Sequence, residues 1–183
     1  PDLVGVLITS LVGIVVLWDI WLLWRRYDSI PKMGPLPNGG HAWSSTLEQE
    51  IARHWSSILA LTIMMAAPWV LAATTDTSTW VVVVFDVLLF IHLIGMILPK
   101  RYAVTKTHLF SDGQRHDWDN LRLALKQPRG RILLQRKGWS IFAPLPLGGE
   151  PSELSIARAW IAAAMIGGEE WQERCKELGI EEE

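Results

Sequence analysis

Three long apolar stretches followed by short alternating segments predict an integral membrane α-helical chain, its three transmembrane helices leading into a small α+β cytoplasmic domain. The stretches are Leu3 to Trp24, Trp55 to Ala73 and Trp80 to Leu98, 19 to 22 residues each. At ~1.5 Å per helical residue they match a hydrocarbon core about 30 Å thick. Flanking charge is one-sided. Arg25, Arg26, Lys32 and Arg53 bracket the first loop and Lys100 and Arg101 follow the third stretch, whereas Asp2 and Asp76 mark the opposite ends without Lys or Arg. The positive-inside rule then predicts a multi-pass protein of the cytoplasmic (inner) membrane, with the N-terminus outside, loop 25–54 inside, connection 74–79 outside and everything after Lys100 inside.

The first stretch is too long for a secretory signal and is followed by Arg25 and Arg26 instead of a small-residue cleavage site, so it is expected to stay as an anchor. Residues 1–99 are therefore expected to form the transmembrane region and 100–183 one small cytoplasmic domain. Charge divides that domain. Residues 100–147 hold ten Lys or Arg against three Asp, and 148–183 hold three against nine Glu, so a basic block precedes an acidic tail. The single Cys175 excludes an internal disulfide and agrees with a reducing compartment.

Along the chain, Ile30-Pro-Lys-Met-Gly-Pro-Leu-Pro-Asn-Gly-Gly40 carries three Pro and three Gly after Ile30 and cannot stay helical. It is expected as a structured turn or a flexible strap. Ser45-Thr-Leu-Glu48 has the S-x-x-E capping-box form, so a helix should start there and run into the second span. Pro68 removes a backbone hydrogen bond and predicts a kink near the outer end of that span. Trp24, Trp55, Trp69 and Trp80 fall at span boundaries, where indoles anchor in the headgroup region.

After Leu98 the pattern changes to short segments separated by turn residues, which reads as β structure. Strands are expected at Tyr102 to Thr105, Thr107 to Phe110, Gln114 to Trp118, Leu121 to Leu125, Arg131 to Gln135 and Trp139 to Ala143, with Pro144 and Pro146 ending the last. Ser111-Asp-Gly113, Pro128-Arg-Gly130 and Lys137-Gly138 supply the turns. Pro151 suits the first turn of a helix whose apolar face is Leu154, Ala157, Trp160, Ile161, Ala164 and Met165. Gly167-Gly168 interrupts it, and Glu169 to Leu178 resumes up to Gly179, with 181–183 frayed.

Tyr102-Ala-Val-Thr105 with His108-Leu109, His116-Asp-Trp-Asp-Asn-Leu121, the hairpin from Gly130 to Trp139 and the closing amphipathic helix together resemble prokaryotic membrane-anchored pleckstrin-homology-like (PH-like) domains, over about residues 100–165. The resemblance implies an antiparallel PH-like sheet with a C-terminal helix and a tendency to bind or scaffold. It carries no catalytic residues.

Asp19, Asp86 and His92 lie inside spans, where an ionisable group is costly and is a functional candidate by default. Asp19 and His92 sit at similar depth and could hydrogen-bond across the first and third spans, while Asp86 lies further out and needs a separate partner. Two readings follow: a polar clasp between helices or toward a partner subunit, or a proton or ion path. A haem would need a second imidazole at compatible depth, and His54 lies at the surface, so no cofactor is expected. Gly5, Thr9 and Gly13 form a small-residue stripe that would admit a partner helix. Lys126, Arg129, Arg131, Arg136 and Lys137 gather around one expected hairpin and point to anionic lipid or an acidic partner protein.

Zinc spacings, Walker motifs, nucleophile elbows and dinucleotide fingerprints do not occur, and the acidic helix disfavours nucleic acid. The expected function is a non-enzymatic scaffold or accessory subunit of a membrane assembly, in contact with the lipid bilayer and a partner subunit or a second copy. The alternative is a small transport or proton-conducting component using Asp19, Asp86 and His92.

Overall fold

The computed structural model describes residues 3–30, 32–74, 77–138 and 144–180. Three helices are long and apolar enough to cross a membrane: α1 (Leu3–Ser29), α3 (Trp55–Ala72) and α4 (Thr79–Ile97). A short helix α2 (Leu47–Arg53) precedes α3. Helices α1 and α4 run parallel, since Gly13 lies beside Leu88 and Asp19 meets His92 further along both. Leu61 of α3 and Phe85 and Leu89 of α4 form the apolar centre of this unit, with Val12 of α1 and Met65 packed on it. Most of the remaining apolar side chains on these helices face outward, which suits helices whose surroundings are hydrocarbon.

The chain divides into two compact units, and the division departs from the expected boundary at residue 99. One unit is Pro1–Trp24 with Glu50–Leu98; the other is Arg25–Gln49 with Pro99–Glu183. The Pro- and Gly-rich segment forms a structured turn, the first of its two expected alternatives, with Leu36 and Gly39 amides bonded across it. It holds β1 (Gly34–Pro35) and leads directly into β2 (His41–Ser44), and both join a five-stranded antiparallel sheet with β3 (Arg101–Val104), β4 (His108–Ser111) and β5 (Gln114–Asp117), in that spatial order. The register places His41 opposite Val104 and Ser44 opposite Arg101. Gly40 enters β2 at φ +104°, in contact with the backbone of β3, where no side chain fits.

A turn of 3₁₀ helix (Trp118–Asn120) leads to a second antiparallel sheet of β6 (Leu121–Leu123), β7 (Ile132–Arg136) and β8 (Leu145–Leu147). Strand β8 runs through Pro146, opposite Leu133, although Pro144 and Pro146 were expected to end the last strand; an edge strand tolerates the missing donor. The expected strand at 139–143 and the frayed tail at 181–183 lie outside the described residues. Helix α5 (Pro151–Ile166) begins on Pro151 as anticipated, and Gly167 at φ +137° turns the chain into α6 (Gly168–Glu177).

Trp43, Tyr102, Val104, Leu109, Leu134, Leu147, Leu154, Trp160, Ile161 and Trp171 are buried together as one core joining both sheets to α5 and α6. Polar contacts bind the early segment into it. Trp43 Nε1 donates to the Gly148 carbonyl (2.8 Å), and Gln49 both donates to the Gly149 carbonyl (2.9 Å) and accepts from the Gly149 amide (2.9 Å). His41 pairs with Glu153 in the first turn of α5.

Helix α2 is capped one residue later than the capping box implies. Thr46 Oγ1 accepts from the Gln49 amide (3.3 Å), while Ser45 Oγ accepts from the Lys100 amide (2.8 Å). The helix does not run unbroken into α3, because His54 takes φ −101°, ψ 14° between them. Arg26 is a second departure: it is buried and paired with Asp112, in the β4–β5 turn. Arg101 stacks on Tyr27 at 3.9 Å and donates to the Ile30 carbonyl (2.7 Å). Two of the cations expected to flank the spans are therefore engaged inside the sheet unit.

Candidate functional site

The intramembrane candidates resolve into two separate polar contacts, both centred on α4. His92 Nδ1 donates to Asp19 Oδ2 of α1, the pairing anticipated from their similar depth. Trp69 Nε1 of α3 donates to Asp86 Oδ2. Trp69 is thus a ligand of a carboxylate rather than only a boundary anchor. The short connection between α3 and α4 was the available signal, because it makes those helices neighbours and brings an indole within reach of Asp86.

Six residues separate Asp86 from His92, about 9 Å of rise and 600° of rotation on a helix with 3.6 residues per turn, so they leave α4 on different faces. One face is clasped to α1 and the other to α3, with Phe85 and Leu89 packed in the apolar cluster between the helices. The arrangement does not join the two carboxylates into a line. Asp86 Oδ1 remains buried without a hydrogen-bond partner among the described residues.

The small-residue stripe faces the other helices of the unit, with contact to α4 at Gly13. A Cβ at Gly13 would lie 3.8 Å from Leu88 Cδ1, and Gly5 and Thr9 line a cleft of about 250 Å³ with Pro68, Val81 and Phe85. Gly13 thus lies beside α4 of the same chain, while Gly5 and Thr9 border open space between α1 and the other two helices.

Asp19 and His92 form a pair that can be weighed directly. Replacing either with leucine is expected to destabilise the three-helix unit, and the double variant should lose less than the sum. A coupling of about 0.6–1.7 kcal/mol is expected for a polar pair between such apolar helices, read from denaturant titration of the full chain in micelles. Additive single effects would dismiss the clasp.

In the sheet unit the five predicted cations do not form one cluster. Lys126, Arg129 and Arg131 occupy the β6–β7 connection, whereas Arg136 and Lys137 stand at the far end of β7, beside Arg115, His116 and Asn120. A strand rises ~3.3 Å per residue, which puts Arg131 and Arg136 about 16 Å apart, too far for one small ligand. Burial, and next the Arg136 charge, lower the pKa of His116 from its ordinary 6.5. Burial and then Arg115 do the same for His108.

The β6–β7 connection is ordered by a residue that the sequence reading passed over. Gln127 Nε2 donates to the carbonyls of Ala124 (2.9 Å) and Leu133 (2.8 Å), and its Oε1 accepts from the Leu133 amide (2.8 Å). No local pattern announces a glutamine acting as a strand surrogate. Among the described residues no group of three or more His, Cys, Asp or Glu gathers as a metal site. Compared with protein-family models, with curated proteins and with solved structures, the chain matches none of them.

Proposed function

We propose that this chain is a multi-pass inner-membrane protein, N-terminus outside and sheet unit in the cytoplasm, acting as a non-enzymatic scaffold or accessory subunit. The sheet unit serves as a PH-like module that contacts anionic lipid or an acidic partner protein. The observation that carries the reading is the use of intramembrane polar groups as pairwise clasps: Asp19 is held by His92 and Asp86 by Trp69, on different faces of α4. Groups engaged in this way stabilise a bundle and leave its apolar outer faces for lipid and for other helices. Two antiparallel sheets closed by a helix, and exposed cations on the β6–β7 connection, support the PH-like and binding roles.

The test is purification of the tagged full chain from its native membrane in mild detergent, followed by mass spectrometry and a particle mass. A stoichiometric complex with another membrane protein is expected. A homo-oligomer without partners would replace this reading with transport or proton conduction through Asp19, Asp86 and His92. The buried Oδ1 of Asp86, without a hydrogen-bond partner among the described residues, favours that second reading.

A further inference from the structure

The β6–β7 connection, residues 124–131, presents a leucine to solvent without cover. Leu125 is 103% exposed, and Leu123 beside it is 44% exposed. Ala124 between them is buried, and its amide donates to the Leu133 carbonyl (3.0 Å). The Gln127 side chain then bonds both Ala124 and Leu133. Ala124 and Leu133 are therefore tied together beside Leu125, whose own side chain stands in solvent. Pro128 and Gly130, at φ +85°, complete the bend.

Charge around this apolar tip has one sign. Arg122, Lys126, Arg129 and Arg131 are exposed, and no Asp or Glu occurs between Asp119 and Glu150. We propose that this connection is a membrane wedge, Leu125 entering the interfacial layer of an anionic bilayer while the surrounding cations contact phosphate-bearing headgroups. The proposal rests on the lipid-contact version of the proposed function and adds its residues and mode.

Three features favour a bilayer over a protein socket. The tip is convex, and a deformable interface accepts a convex apolar group that a protein could receive only in a matching pocket. Its cations suit a negatively charged leaflet, whose field acts over a Debye length of about 10 Å. Only Leu98, Pro99 and Lys100 separate α4 from β3, so if α4 spans a bilayer the sheet unit is tethered to that surface at high effective concentration. An apolar residue ringed by Lys and Arg combines the two attractions that hold interfacial segments on membranes.

The test uses the full chain carrying Cys175→Ala, with a nitroxide on Leu125→Cys or, in a parallel sample, on Arg129→Cys. Each is reconstituted into phosphatidylcholine vesicles with or without phosphatidylglycerol, and collisions with oxygen and with a water-soluble nickel chelate are measured. A label at 125 should lose nickel contact and gain oxygen contact in the anionic vesicles. Gln127→Ala should weaken that shift by freeing the loop. Position 125 remaining in water while 129 becomes shielded only in anionic vesicles would overturn the wedge and leave surface contact standing. Both positions remaining in water in both lipids would overturn the wedge together with the lipid-contact reading. Shielding of 125 in native membranes but in neither lipid mixture would assign the tip to a protein and overturn the proposal.

Discussion

Gly40→Ala will unfold the sheet unit at temperatures the unaltered chain withstands. Two costs coincide at this position. Its φ of +104° is one that L side chains rarely adopt, and a Cβ there would lie 2.1 Å from the Val104 carbonyl oxygen and 3.2 Å from its carbon. Neither atom can move without opening the β2–β3 ladder, in which Val104 pairs with His41. Left-handed backbone costs an L residue ~1–2 kcal/mol, and overpacking adds about 1–3 kcal/mol. Together they consume a large part of the ~5–15 kcal/mol that usually separates folded from unfolded domains. Gly34→Ala is the control, because Gly34 has φ +101° with nothing within 4 Å of its added Cβ. It pays for backbone conformation alone. Limited proteolysis of the full chain in detergent across a temperature series should show the Gly40 variant cut within residues 25–49 and 99–183 well below the temperature at which the Gly34 variant yields. Equal behaviour of the two would mean that β2 does not lie against β3.

Trp43→Ala is expected to be the next most damaging change. Trp43 is buried, packs on Tyr102 at 5.5 Å between ring centroids, and donates to the Gly148 carbonyl. Truncating a buried tryptophan costs about 3–5 kcal/mol. The loss arises at a join, since β2 comes from the early segment and Gly148 precedes α5. Trp43→Phe separates the components: most of the volume stays, but the half-buried Gly148 carbonyl loses its donor, a hydrogen bond worth about 0.5–1.5 kcal/mol net. Denaturant titration of the full chain in micelles, followed by far-ultraviolet circular dichroism, should rank native above Phe above Ala. If the alanine variant unfolds with the native midpoint, the early segment is not part of the sheet core.

Both predictions concern a region whose role was the least legible in the sequence. Three prolines and the glycines between Ile30 and Gly40 read locally as a turn or strap, because Pro and Gly are breakers whatever surrounds them. The same glycines are what let a chain pass close to another strand. His41 and Val104 lie far apart in sequence, and nothing local to either marks the other as its partner. The basic hairpin was misjudged for a related reason. Composition places five cations in twelve residues, and only the extension of β7 shows that they form two groups.

The clasps were half legible. Depth counting on straight helices brought Asp19 to His92, since helical rise is constant. It left Asp86 without a partner, because tryptophan at a span boundary is normally explained by the membrane interface alone. Arg26 has a role beyond that of a flanking charge, since it is also buried against Asp112.

What the sequence by itself determined is what depends on neighbours along the chain. The three apolar helices, five of the strands after Lys100, the start of α5 at Pro151 and its end at Gly167 follow from hydropathy, periodicity and the dihedral limits of Pro and Gly. Tertiary structure alone decided that Arg25–Gln49 belongs with the sheets, that Gly13 lies beside Leu88 of α4, and that Gln127 ties Ala124 to Leu133. Those outcomes depend on which surfaces meet once distant segments fold together. Long-range pairing is selected by the total burial and hydrogen bonding of the folded unit, and no single stretch of sequence contains that sum.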